Sequence, residues 1–105
     1  MSEPPLDDSA IFERLRLLDD PEIGLNIVDL GMVSSIEHDT AGNVRVVITP
    51  TSPNCPMHDQ IVEGARLMVE SIPGVKTADI TMSFDPPWTP DLITPAGREF
   101  LENRS

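Results

Sequence analysis

Residues 44–84 read VRVVITPTSPNCPMHDQIVEGARLMVESIPGVKTADITMSF. Val44, Val46 and Ile48 alternate with more polar neighbours, so Val44–Thr49 is expected to be a strand with one buried face. Thr51–Pro56 holds two prolines and reads as a loop. Pro56 suits the first position of a helix, which makes Cys55 the expected N-cap. That helix should run to about Ser71, because Ile61, Ala65, Met68 and Ile72 recur at helical spacing and Val62 and Val69 broaden the stripe. Pro73 and Gly74 end it. From Val75 to Phe84 the pattern returns to period two, with Ala78, Ile80, Met82 and Phe84 on one side and Thr77, Asp79, Thr81 and Ser83 on the other. A helix joining two strands carries the chain back, so these two strands should run parallel.

Upstream, Ile27–Glu37 reads as a further strand with Leu30, Met32 and Ile36 on one face. Gly42 and Asn43, within the connection His38–Asn43, make an antiparallel hairpin with Val44–Thr49. Ser9 is the expected N-cap of a first helix that carries Ile11, Leu15 and Leu18 and runs to about Leu18; Pro21 disfavours helical geometry at Asp20 and stops it there. A loop, Asp19–Asn26, follows it. Residues 1–8, acidic and proline-rich, read as a disordered tail. A last short helix is expected over Thr94–Leu101. The order helix, strand, strand, helix, strand, helix makes residues 9–105 one two-layer α+β domain, its three-stranded mixed sheet covered by helices on one face. Open sheet edges make a homodimer a natural expectation.

The chain has 105 residues, with 18 Asp and Glu against 7 Lys and Arg, a formal charge of -11. Such a balance repels a phosphate backbone and excludes nonspecific nucleic-acid binding. No apolar run exceeds four residues, against the roughly 18 that a membrane span needs, and no secretory leader is visible. Residues 1–40 hold ten acids and two bases. They read as a solvated face or as a docking surface for a basic partner. The lone cysteine, Cys55, fits a reducing cytoplasmic compartment and forms no intrachain disulfide.

The expected topology brings distant loops to one sheet edge, where the first strand begins and the other two end. Asp20-Pro21-Glu22 gathers there with Asn26 and Asp29, the run Thr51–His58, and Asp85-Pro86-Pro87-Trp88. Pro21, Pro50, Pro53, Pro56, Pro86, Pro87 and Pro90 stiffen these loops. Cys55, at a helix N-terminus, is either a thiolate favoured by the helix dipole or a small buried hydrophobe. His58, one turn on, is a candidate co-ligand or a solvated histidine. Asp20 and Glu22 offer carboxylates to iron or cap their own turn. Trp88 is a cover over the core or a binding platform, and His38 lies at the far edge in solvent. No phosphate loop, nucleophile elbow or basic stripe is present.

These loops carry a resemblance. Asp20-Pro21-Glu22-Ile23-Gly24-Leu25-Asn26-Ile27-Val28-Asp29-Leu30-Gly31, then Thr51-Ser52-Pro53-Asn54-Cys55-Pro56, then Pro86-Pro87-Trp88-Thr89-Pro90-Asp91 resemble the SufT-type iron-sulfur assembly factors. That family includes the eukaryotic cytosolic iron-sulfur targeting proteins and the phenylacetate-degradation protein PaaD. The ending Trp88–Asp91 with Thr94-Pro95-Ala96-Gly97-Arg98 looks most like the PaaD branch. The resemblance implies a small domain that matures or delivers clusters through the thiol at Cys55, with Asp20, Glu22, Thr51, Pro53, Pro56 and Trp88 shaping the site. Cys55, Glu22 and His58 would be ligands for iron or a transient cluster. The assembly machinery and client iron-sulfur proteins would be its partners. Two other readings stand beside it: a scaffolding subunit with an inert Cys55, and a thiol enzyme using Cys55 and His58.

Overall fold

In the computed structural model, which describes residues 7–21, 23–51, 58–85 and 87–103, Val44, Val46 and Ile48 lie on the middle strand of a three-stranded sheet. β1 (Val33–His38) pairs antiparallel with β2 (Asn43–Ile48), and β3 (Thr77–Met82) pairs parallel with the other side of β2. α1 (Asp8–Leu15) precedes the sheet and α2 (His58–Glu70) joins β2 to β3. A 3-10 turn (Pro90–Leu92) then leads into α3 (Pro95–Asn103). This is the expected mixed-sheet α+β arrangement.

The core lies between the sheet and α1 and α2. Val44, Val46 and Ile48 are at most 2% exposed and cluster with Ile11 and Leu15 of α1 and Ile61, Ala65 and Val69 of α2. Val69 takes the inner position that the helical spacing assigned to Met68, which is only half-buried. On the outer face, Glu37, Arg45 and Asp79 stand in register across the three strands, all exposed.

Four elements differ from expectation in their bounds. The first helix starts at Asp8, because the side chain of Asp7 rather than Ser9 accepts the N–H of Ala10 at 2.8 Å. Asp7 and Asp8 thus belong to the helix start, and the helix ends at Leu15 rather than Leu18. The first strand is much shorter than Ile27–Glu37. Asn26 Oδ1 accepts the N–H of Asp29 at 2.8 Å and Gly31 adopts φ +77°, so Ile27–Gly31 curls into consecutive turns. Ile27, Leu30 and Met32 still reach the core with no exposed surface, but from turns, while Ile36 is only half-buried. β3 ends at Met82 because its partner β2 ends at Ile48; Phe84 therefore lies outside the ladder, 52% exposed, and not on the buried side. The last helix runs Pro95–Asn103 rather than Thr94–Leu101, with Thr94 Oγ1 accepting the Gly97 N–H at 3.0 Å.

Candidate functional site

Strand register sets the geometry of one sheet edge. Ile48 is opposite Val33 on β1 and Met82 on β3, so the start of β1 and the carboxyl ends of β2 and β3 coincide. α2 must return the chain from that edge to Thr77, which pairs with Asn43 at the opposite end, so α2 starts there as well. The carboxyl ends of parallel strands are where open sheets commonly place their sites. Two backbone bonds close the edge: the Thr49 N–H donates to Met32 O at 2.7 Å, and the Ser83 N–H donates to Ile48 O at 2.9 Å.

Asp20 sits in the first of the three loops, 1% exposed. Its Oδ1 accepts the N–H of Ile23 at 3.3 Å and its carbonyl accepts the N–H of Gly24 at 2.7 Å, so this carboxylate organises its own turn. Thr51 follows the end of β2, half-buried. Trp88 is half-buried against the core, and its indole N–H donates to Leu30 O at 2.7 Å. Its polar edge is thereby engaged by the protein itself. Glu22, Pro53, Cys55 and Pro56 lie outside the described residues; His58 is the first residue of α2, and its side chain also lies outside them. Among the described residues no group of three or more His, Cys, Asp or Glu is placed to hold a metal ion. His38 is at the opposite end of the sheet, where Nε2 lies 3.2 Å from Asp8 Oδ1. A cleft of about 370 Å3 at that end is lined by Glu37, His38, Asp39 and Arg45 among others. Asp39 there accepts the N–H groups of Ala41 and Asn43, which makes it part of the hairpin turn.

One constellation escaped the sequence reading. Asp29 Oδ2 accepts from Asn26 Nδ2 at 2.7 Å, and Asp29 Oδ1 accepts from the hydroxyl of Thr94 at 2.8 Å. The Asp29 carbonyl also accepts the Thr94 N–H at 2.9 Å. Residues 88–97 thus form a strap laid over the turn 27–31. Asn26 is read from the sequence as a loop residue and Asp29 as part of the expected first strand, both at this edge; the only local sign of their partner is the helix-start pattern Thr94-Pro95-Ala96-Gly97.

The hydrogen bond from Asn26, opposed by burial and helped by Thr94 and the charge of Arg16, holds the Asp29 carboxyl below its ordinary value. A lowered carboxylate stabilises the fold fully above the unfolded pKa of about 3.9 and progressively less as pH falls through the folded value. The stability of Asp29→Asn should therefore depend less steeply on pH below about 4 than that of the natural chain. Urea titrations at a series of acidic pH values measure this, and parallel slopes would refute it.

Residues 8–80 match the family described as iron-sulfur cluster assembly protein. The chain belongs to that family. Among relatives of this chain, an Fe-S protein maturation auxiliary factor of Porphyromonas gingivalis is 42% identical over 87 residues, covering 83% of each chain. The Fe-S protein maturation auxiliary factor SufT of Staphylococcus aureus is 36% identical over 75 residues, covering 71% of this chain and 85% of its own. A putative 1,2-phenylacetyl-CoA epoxidase subunit of Escherichia coli is 36% identical over 92 residues, covering 87% of this chain and 54% of its own. The crystal structure of a domain of unknown function from Bacillus anthracis superposes with a TM-score of 0.87 at 28% identity, over 92% of both chains. The resemblance drawn from the three motifs is thus a family membership, and the α+β fold is shared with a solved structure.

Proposed function

We propose that this chain is a non-enzymatic cytoplasmic factor that helps to mature iron-sulfur proteins, with Cys55 as the thiolate that transiently ligates iron or a cluster in transit to a client. The observation that carries the reading is the stitched edge: the family match spans Cys55, and the residues flanking its segment, Thr51 and His58, follow the end of β2 and open α2. Relatives named as maturation auxiliary factors support the same role. A single cysteine cannot by itself supply the four thiolates a cluster takes, so the remaining ligands come from Glu22, His58, a second copy of the chain, a small thiol or the assembly machinery. Such shared ligation suits a carrier, because a site with few ligands of its own releases its cargo readily. The relative named as an epoxidase component favours a second reading, a scaffolding subunit in which Cys55 is inert.

In a strain lacking this protein, the Cys55→Ala chain should leave client iron-sulfur enzyme activity at the deletion level while the natural chain restores it. Full restoration by Cys55→Ala would sink the thiolate role. Alkylation of the purified natural chain separates the two readings: an accessible thiolate reacts quickly near neutral pH, whereas an inert buried thiol reacts only on unfolding.

A further inference from the structure

β3 is the last strand on its side of the sheet, and among the described residues no strand pairs with its outer side. The N–H groups of Thr77 and Ser83 donate to Gly42 O and Ile48 O, toward β2. Backbone direction alternates along a strand, so the N–H and C=O groups of Ala78, Ile80 and Met82 point the other way. The side chains of these three residues lie on the helix-covered face yet are only half-buried, whereas their β2 partners Val44, Val46 and Ile48 are at most 2% exposed. A row of apolar side chains and a row of backbone groups thus end together at this side. The opposite margin of the sheet is different: β1 has a register shift between Val33 and Ser35, and such a shift blunts a margin against pairing. β3 keeps an unbroken register from Thr77 to Met82.

We propose that the outer side of β3 is a homodimer interface: β3 pairs antiparallel with β3 of a second copy about a two-fold axis at Ile80, and the two sheets become one. Self-complementarity is what selects a second copy as the occupant. With Ile80 opposite its own equivalent, Ala78 faces Met82 of the second copy, small against large, and the N–H and C=O groups of all three residues find partners. Sliding one copy by two residues leaves one of the three without a counterpart in β3, and in one direction sets Asp79 against Asp79. In the Ile80-centred register Asp79 instead stands opposite Thr81 of the second copy, carboxylate against hydroxyl, twice by symmetry. Asp79 is the single charged side chain of β3, and its Oδ2 lies 3.7 Å from Arg45 Nε, so the seam itself is close to neutral. The formal charge of -11 on each copy still repels at long range, which keeps the association weak and makes salt strengthen it. Antiparallel pairing points the carboxyl ends of the two β3 strands in opposite directions, so each copy keeps its own candidate edge. The inference therefore does not rest on the role of Cys55.

Sedimentation equilibrium of the full chain at a series of concentrations reads the dissociation constant, and the natural chain should show a monomer–dimer equilibrium. Thr81 is exposed, so substitutions there spare the fold of the monomer. Thr81→Lys sets an ammonium opposite Asp79 of the second copy and should tighten the dimer about 2- to 30-fold, the range for two cross-strand charge pairs. Thr81→Asp sets carboxylates opposite one another and should weaken it by a similar factor. Ser35→Lys and Ser35→Asp place the same charges on exposed β1, away from the seam, and should shift the constant less in each case. Ala78→Pro removes an outward N–H from a strand margin that tolerates proline, and should leave a monomer with the dichroism of the natural chain. If Ala78→Pro fails to fold, the Thr81 variants decide. Monomer at every concentration, in the natural chain and in Thr81→Lys, overturns the proposal. So does a dimer on which the two Thr81 variants act alike, or act no more strongly than their Ser35 counterparts, because association then uses another face.

Discussion

Gly31→Ala should cost the folded chain about 2–5 kcal/mol, combining the left-handed backbone penalty of about 1–2 with overpacking of about 1–3. Gly31 has φ +77°, and its missing Cβ would stand 2.5 Å from Leu92 Cβ and 2.6 Å from Leu92 C as well as against the carbonyl oxygen. Backbone on backbone gives no side chain that can swing away, so the 3-10 turn itself must lift. Gly74 isolates the first contribution: it has φ +93° with nothing within 4 Å of a built Cβ. Gly74→Ala should therefore lose only the backbone part, about 1–2 kcal/mol. Urea unfolding of the two variants measures the difference, and equal midpoints would show that the strap does not press on Gly31.

Ile48→Ala should destabilise the chain by about 2–5 kcal/mol, enough to lower the midpoint of thermal unfolding by about 8 °C or more at about 4–8 °C per kcal/mol. Ile48 has no exposed surface, lies on the central strand, and is opposite both Val33 and Met82. Truncating it opens a cavity bounded on both sides by hydrogen-bonded strands, which cannot collapse inward without breaking the ladder. Phe84→Ala removes a larger side chain that is 52% exposed, and should cost much less. Calorimetry on both variants decides; a larger loss at Phe84 would mean that its ring is covered in solution.

Periodicity made the layers legible. Val44, Val46 and Ile48, and then Ile61 and Ala65, announced their inward faces through spacings of two and of four, because burial of one face is what selects those spacings. Ile27–Gly31 misleads for the same reason. An apolar run serves a strand or a buried turn equally, and the deciding features were the Asn26 side chain and the positive φ of Gly31. The candidate site divided along similar lines. Proline-bearing segments and a cysteine ahead of a helix are visible as local chemistry, and the edge they are expected to share follows from connectivity. The pairing of Asp29 with Thr94 was not visible, because a hydrogen bond across 65 residues leaves no period in the chain. The position of Cys55 relative to Glu22 and His58 rests on motif and order alone.

The indole of Trp88 gives the molecule a built-in optical probe. The chain has no tyrosine and a single tryptophan, and that tryptophan is hydrogen-bonded at the joint between strap and turn. Intrinsic emission therefore reports the state of one joint, while far-ultraviolet dichroism reports α1, α2 and α3 together. If the two signals change at the same denaturant concentration, the strap belongs to the cooperative unit of folding; if emission changes first, the joint opens while the helices persist.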